Sequence, residues 1–242
     1  MLALKIILGI IGGLLALFIL FALFTMLASR FIDTSREYDK NSRFYRFLLD
    51  FWTGFMVVVM RIKIDKKGLE KIPKGRFVIV SNHRSNFDPI LTWYILKKNK
   101  LAYLTKDDNF RVPWFGRIIR KCCFMGIDRE NPRRALETVE KAADLLKRDE
   151  VSIGVYPEGT RNKTEETLLP FHNGMFKISK KANVPLVIAC IKGTSTIHSD
   201  FPKRSPKVEF EVLDVMMPDE LKDMKDSEIG AKVRDMLLAA LS

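Results

Sequence analysis

The chain has 242 residues, with 41 Lys and Arg against 29 Asp and Glu, and its formal net charge is +12. This length suits one domain with a substantial core, or one domain plus an appendage, and the charge suits an anionic partner such as nucleic acid, a membrane surface or an acidic carrier. The three cysteines form neither a C-x-x-C pair nor an even set, which argues against a disulfide or zinc scaffold and indicates a reducing compartment.

The first predicted element is an uncharged apolar segment from Ile6 to Ala28. As a helix it is about 35 Å long, enough to cross a hydrocarbon core about 30 Å thick. A cleaved signal peptide is the alternative, since Lys5 supplies a positive start. However, the apolar run exceeds the usual ~7–15 residues, and LASRFID is a poor small-residue cleavage site. We therefore predict an uncleaved anchor.

Basic residues flank this anchor unevenly. Lys5 alone precedes it, whereas the residues that follow include Arg30, Arg36, Lys40, Arg43 and Arg46. Flanking segments rich in Lys and Arg stay on the cytoplasmic side of a membrane. The predicted location is the cell membrane, with a single N-terminal anchor and the rest of the chain on the cytoplasmic side.

A second aromatic-rich segment, Phe44 to Ile64, is interrupted by Arg46 and Asp50. Its uninterrupted apolar run, Phe51 to Met60, is too short to span a bilayer. The segment is predicted to be an interfacial helix with Trp52 at the lipid boundary, and a helix packed on the domain is the alternative.

Short apolar runs alternate with helical patterns in the remainder of the chain. The predicted strands are RFVIVS, KLAYLT, CCFMGI, VSIGVY, PLVIACI and KVEFEVL. The clearest helix is Pro132 to Arg148 after the N-cap Asn131, and a last helix is predicted at about 226–241. The pattern predicts an α/β fold with a mostly buried central sheet flanked by helices, preceded by an N-terminal membrane-anchoring helical segment. We divide the chain into an anchor and interfacial helix at 1–64 and a domain at 65–242.

Three polar segments follow predicted strands, where α/β sheets collect binding groups. The first holds His83 and Asp88, five residues apart. Asp88 before Pro89 is typical of a helix N-cap. The same carboxylate can reach the imidazole, fix one tautomer and stabilise the imidazolium that forms when His83 accepts a proton.

The second segment is YPEGTR, in which Gly159 lets backbone N–H groups approach an anion and Arg161 offers a planar fork for phosphate. An ordinary turn is the alternative. The third is GIDRENPR, which places Arg133 and Arg134 in the first turn of a helix. Cations there oppose the helix dipole, and an anion bound at that end of the helix offsets this effect.

In their order, these motifs resemble those of the glycerolipid acyltransferases, and most closely the bacterial 1-acylglycerol-3-phosphate acyltransferases. The matching residues are N-H-x-x-x-x-D at Asn82, His83 and Asp88, I-D-R at Ile127 to Arg129, Y-P-E-G-T-R at Tyr156 to Arg161, PFHNG at Pro170 to Gly174 and VPLVIA at Val184 to Ala189. The resemblance covers about residues 82–189, and the order and spacing are far more specific than any single motif.

The resemblance implies that 65–242 is a catalytic domain that acylates the free hydroxyl of 1-acylglycerol-3-phosphate, giving phosphatidic acid for phospholipid synthesis. His83 is then the general base and Asp88 its orienting partner, while the hydroxyl attacks a fatty acyl thioester. A thioester is already activated, so no enzyme nucleophile is needed, and no G-x-S-x-G elbow is present.

The family assigns acceptor binding to the second and third motifs, here Arg129, Glu158, Gly159, Thr160 and Arg161. As a carboxylate repels phosphate, holding an arginine or the acceptor's hydroxyls is an alternative role for Glu158. The family needs no metal or bound organic cofactor, and no His/Cys ligand cluster contradicts this.

The implied partners are acyl-carrier protein or coenzyme A as acyl carrier, a lysophospholipid acceptor and an anionic membrane surface. Nucleic acid is disfavoured, because no binding module is recognisable and an anchor is present. The alternatives left open are an acyltransferase acting on another lysolipid or on glycerol-3-phosphate, a lipid hydrolase with Ser81 or Ser85 as nucleophile, and a non-catalytic lipid-binding membrane protein.

Overall fold

The structure, a computed structural model, describes residues 1–128 and 131–242, so the predicted site residue Arg129 lies outside the described residues. The described strands are β1 (Lys63–Lys67), β2 (Val78–Ser81), β3 (Leu101–Thr105), β4 (Met125–Gly126), β5 (Ser152–Val155), β6 (Leu186–Lys192) and β7 (Lys207–Met216). The described helices are α1 (Leu2–Arg30), α2 (Arg43–Val59), α3 (Phe87–Ile95), α4 (Phe115–Lys121), α5 (Pro132–Lys147), α6 (Lys177–Ala182), α7 (Ile197–Asp200), α8 (Pro218–Asp223) and α9 (Asp226–Leu241).

These strands form one mixed sheet in the order β1-β7-β6-β2-β5-β3-β4. Neighbours from β6 to β4 are parallel, whereas β7 runs antiparallel to β6 and parallel to β1. The central strands β2 and β5 are buried along their whole length, which explains their continuous apolar sequences. The predicted α/β fold is therefore confirmed, and the carboxyl ends of β2, β3, β5 and β6 meet at one edge.

The edge strand β1 is absent from the sequence-based prediction. Its sequence KIDKK has no apolar run, and four of its five residues are exposed. It forms because β7 offers an unpaired edge, with Lys63 opposite Lys207 in parallel register. The strand begins at Lys63 and so crosses the proposed division between residues 64 and 65.

Two predicted helices form as expected. At the start of α5, the Asn131 side chain accepts hydrogen bonds from the N–H groups of Arg133 and Arg134, at 3.1 and 3.2 Å. The last helix, α9, covers Asp226–Leu241. The sequence pattern therefore located both helices and the cap of α5.

The prediction that Asp88 caps its helix is wrong. The helix α3 begins at Phe87 after the N-cap Asn86, so Asp88 lies in its first turn. The carboxylate instead accepts hydrogen bonds from Arg84 N and Ser85 N, which precede the helix, both at 2.7 Å. Asp88 thus closes the turn between β2 and α3.

The N-terminal helix α1 exposes nearly all of its apolar side chains. Among the described residues it is the one helix with the length and composition to cross a membrane. Phe18 and Phe21 of α1 lie 5.6 and 6.1 Å from Trp52 of α2, measured between ring centroids. The aromatic contacts join the candidate anchor to the second helix.

The helix α2 has two different faces. Arg46 is buried and donates hydrogen bonds to Asn41 Oδ1 at 2.7 Å and Leu101 O at 3.1 Å. Asp50 accepts a hydrogen bond from Trp93 Nε1 at 2.7 Å. The charges that interrupt the apolar pattern therefore dock α2 on the domain, as the alternative interpretation held, and Arg46 is not a surface flank of the anchor.

The opposite face of α2 is apolar and exposed. It includes Phe47, which is 58% exposed, and Val58, which is 72% exposed. Contact of this face with the lipid interface remains a prediction.

Candidate active site

Asn82 fixes the point at which the chain leaves the sheet. Its Nδ2 donates to Ile191 O at 2.8 Å, and its Oδ1 accepts from Ile191 N at 2.9 Å. The side chain thereby makes with β6 the two hydrogen bonds that a backbone residue extending β2 would make. His83 follows at the carboxyl edge of the sheet.

His83 and Asp88 are in contact, as the sequence predicts. His83 Nδ1 lies 2.8 Å from Asp88 Oδ2, and the Asp88 side chain is 0% exposed. An ionised carboxylate only accepts hydrogen bonds, so Nδ1 carries the proton and Nε2 is left as the accepting atom. This is the tautomer that a general base requires.

The Tyr156 ring supports the imidazole from one face. The ring centroids of His83 and Tyr156 are 4.1 Å apart with planes at 16°, and Tyr103 stacks behind Tyr156 at 5.8 Å and 6°. Burial raises the pKa of both tyrosines, so their hydroxyls stay neutral. This stack restricts rotation of the His83 ring.

His83 also lines a cavity of about 360 Å³. Residues of α2, α3, α4 and β3 line it, and its apolar lining includes Leu49, Ile90, Trp93, Ile119 and Phe124. Its polar lining includes Lys106, Thr160 and Arg161. A base at an apolar cavity with cationic side chains suits a substrate that carries both a hydrocarbon chain and an anion.

Glu158 is directed towards backbone rather than towards the cavity. Its Oε1 accepts from His83 N at 2.7 Å and its Oε2 from Leu169 N at 2.9 Å, and the residue is 2% exposed. Burial raises the pKa of this carboxyl, and the two backbone N–H groups partly oppose that rise. Both oxygens thus tie the YPEGTR segment to the segment that carries His83.

Gly159 occupies a backbone conformation that favours glycine, with φ at 70°. A Cβ at this position would also lie 2.7 Å from His172 Cδ2, which is too close. Gly159 lines the cavity together with Thr160 and Arg161. Five of the predicted site residues therefore lie at or beside one cavity: His83, Asp88, Gly159, Thr160 and Arg161. Glu158 supports these residues through its two backbone hydrogen bonds.

The two candidate nucleophilic serines make other contacts. Ser81 Oγ lies 3.3 Å from Asn82 Oδ1, and Ser85 Oγ accepts from Phe87 N at 3.2 Å. Neither hydroxyl is hydrogen-bonded to the His83 ring in the part of the chain that the structure describes. The Ser–His contact of a serine hydrolase is thus missing here.

Two residues at this site were not identified from the sequence. Lys106, on the loop after β3, lines the cavity, and its position after a predicted strand was an available signal. Thr194 donates its hydroxyl to Asp88 Oδ1 across 106 positions of the chain. No local pattern marks Thr194, because the contact arises only when β6 lies beside β2.

Known proteins that are similar to this chain are described as acyltransferases. A family model described as acyltransferase matches residues 63–192, just over half of the chain. The chain is 26% identical over 191 residues to the 1-acyl-sn-glycerol-3-phosphate acyltransferase of Saccharomyces cerevisiae. The matched region covers 77% of this chain and 62% of the yeast enzyme. It is 30% identical over 222 residues to a Caenorhabditis elegans protein named provisionally for the same activity. That matched region covers 89% of this chain and 74% of the C. elegans protein.

The fold is similar to a solved structure. The crystal structure of the 1-acyl-sn-glycerophosphate acyltransferase from Thermotoga maritima superposes with a TM-score of 0.68 and 20% sequence identity. The superposition covers 92% of this chain and 87% of that one.

Proposed function

This chain belongs to the acyltransferase family, and we propose that it transfers a fatty acyl group from an acyl thioester to the free hydroxyl of 1-acylglycerol-3-phosphate, giving phosphatidic acid. The names of its relatives support the reaction. The observation that carries the mechanism is the 2.8 Å contact between His83 Nδ1 and Asp88 Oδ2 beside the cavity. It leaves Nε2 as a proton acceptor in a side chain that reaches the cavity.

In the proposed reaction, His83 Nε2 removes the proton of the acceptor hydroxyl as its oxygen attacks the thioester carbonyl. Asp88 stabilises the imidazolium that forms. Collapse of the tetrahedral intermediate breaks the C–S bond, and the imidazolium returns its proton to the departing thiolate. The new ester and a free thiol are the products, and His83 is neutral again.

Recognition of the acceptor phosphate is assigned to the cationic side of the cavity. Arg161 lines the cavity and can present two parallel N–H donors, while Gly159 and Thr160 lie on the same segment. Lys106 adds a further positive charge. Arg129 remains a proposed contact from the sequence motif. For Glu158, its two backbone hydrogen bonds support a bracing role over direct contact with the acceptor.

The N-terminal region suits a substrate that resides in a membrane. An apolar helix of sufficient length precedes the domain, and the exposed apolar face of α2 follows it. We propose that residues 1–64 hold the domain at the cytoplasmic surface of the cell membrane, with residues 65–242 as the catalytic part. Acyl-carrier protein or coenzyme A is the proposed carrier of the acyl group, since both are acidic and the chain carries a formal charge of +12.

The test supplies membranes containing the protein with both labelled acyl donors and a panel of acceptors, and identifies the lipid formed. We expect labelled phosphatidic acid from 1-acylglycerol-3-phosphate, and loss of about 10²–10⁴-fold in rate in His83→Ala. His198→Ala, which changes an exposed histidine on α7, is the matched control and should retain activity.

Other outcomes would contradict the proposal. No turnover with any acyl thioester would indicate a non-catalytic lipid-binding protein. A trapped acyl-enzyme that is lost in Ser81→Ala or Ser85→Ala would indicate a hydrolase. A loss smaller than about tenfold in His83→Ala would remove His83 as the base.

A further inference from the structure

Thr194 completes the surroundings of Asp88. It lies on the loop after β6 and is 2% exposed, and its hydroxyl donates to Asp88 Oδ1. The other oxygen, Oδ2, accepts from His83 Nδ1, Arg84 N and Ser85 N at 2.8, 2.7 and 2.7 Å. Among the described residues, Thr194 is the one hydrogen-bond donor to Oδ1.

We propose that Thr194 is a positioning residue of the reaction, extending the His83–Asp88 pair to a Thr194–Asp88–His83 chain of hydrogen bonds. The inference rests on the proposed role of His83 as general base. The Thr194 hydroxyl holds Asp88 Oδ1 in place, so that Oδ2 stays aimed at His83 Nδ1.

The burial of Asp88 makes this hydrogen bond consequential. A carboxylate oxygen without water or another donor is strongly disfavoured in an apolar interior. Without the Thr194 hydroxyl, the carboxylate would rotate to bring Oδ1 towards a donor that now serves Oδ2. This rotation weakens the support that Asp88 gives to the imidazolium of His83.

The other polar groups near the pair do not replace Thr194. Glu158 accepts the backbone N–H of His83, and Arg84 donates its side chain to Thr164 O and Glu166 O. Tyr156 stacks on the His83 ring with Tyr103 behind it, and no hydrogen bond joins either hydroxyl to Asp88 in the part of the chain that the structure describes. The contribution of Thr194 is therefore testable by a single substitution.

The experiment compares Thr194→Val, which keeps the shape of the side chain, with Thr194→Ser, which keeps the hydroxyl. In Thr194→Val we expect kcat to fall about 10- to 100-fold, the factor typical of a hydrogen bond to a charged group, with KM for both substrates little changed. Thr194→Ser should stay within about threefold of the wild type. Thr196→Val is the matched control, because its exposed hydroxyl serves Asp200 Oδ2 at 3.0 Å, away from the cavity.

A double-mutant cycle separates positioning from a structural role. In the Asp88→Asn background, Thr194→Val should cost little further activity, since both changes act on one unit. Thr194→Ala serves as the hydroxyl-free variant where Thr194→Val does not fold.

Wild-type kcat in a folded Thr194→Val, equal damage in Thr194→Ser, or a loss matched by Thr196→Val would overturn the proposal. So would fully additive losses in the Asp88→Asn background. An active His83→Ala would instead show that the proposed base is wrong, whatever Thr194 does, and the two failures are thereby distinguished.

Discussion

Replacing Asp88 with Asn tests the charge of this residue apart from its shape. The amide oxygen can take the position of Oδ2 and accept the same three N–H donors, those of His83 Nδ1, Arg84 and Ser85. The amide NH₂ then faces Thr194, whose hydroxyl can turn from donor to acceptor. Every hydrogen bond has a counterpart, so we expect the free energy of unfolding to fall by less than about 1 kcal/mol.

The rate should respond very differently. The carboxylate contacts the imidazole at 2.8 Å, which puts the two charge centres of the ion pair about 4 Å apart. At an effective dielectric constant of about 20, their attraction is about 4 kcal/mol, or about 10³-fold in rate if fully developed in the transition state. We expect kcat to fall about 10²–10³-fold in Asp88→Asn.

The assay follows thiol release from an acyl thioester at saturating acceptor, with thermal unfolding measured on the same preparations. Asp200→Asn is the matched control, since Asp200 is also a largely buried carboxylate but pairs with Arg204 at 3.4 Å. Full activity in Asp88→Asn would mean that Asp88 only closes the turn. A loss of stability above about 2 kcal/mol would instead refute the hydrogen-bond exchange with Thr194.

Three further results are expected. Arg161→Lys should lower kcat/KM for a phosphorylated acceptor about 10–150-fold but hardly affect one without phosphate, and equal losses with unstable protein would indicate a structural ion pair instead. Glu158→Gln should lower the free energy of unfolding by about 1–3 kcal/mol in urea titrations, because its amide NH₂ faces a backbone N–H. Burial raises the pKa of Glu158, so the wild-type free energy of unfolding should fall as the pH rises from about 4 through that raised pKa. Glu158→Gln should lack this decline, and a Gln variant that still shows it would contradict the assignment to Glu158. Deleting residues 1–28 should leave a folded protein that still sediments with anionic vesicles through the exposed face of α2, and a fully soluble product would show that α1 alone makes the contact.

Features set by local sequence were predictable. The helix α5 follows from its apolar spacing and from the Asn131 cap, whose partners lie two and three residues away. The central strands follow from continuous apolar runs that only a sheet covered on both faces can bury. The contact between His83 and Asp88 follows from a turn that separates the two residues by five positions, close enough for the carboxylate to reach the ring.

Features that depend on which elements become neighbours were decided only by the tertiary structure. The polar strand β1 forms because β7 has an open edge to pair with. Arg46 is buried because α2 packs where this side chain can donate to Leu101 O. Glu158 has the sequence signature of a ligand-binding carboxylate, yet both its oxygens are used by backbone N–H groups. Thr194 meets Asp88 across 106 positions because β6 pairs with β2. A buried polar group needs a hydrogen-bond partner, but the sequence around it does not identify that partner. The donors and acceptors within reach are fixed only by the order of the strands in the sheet.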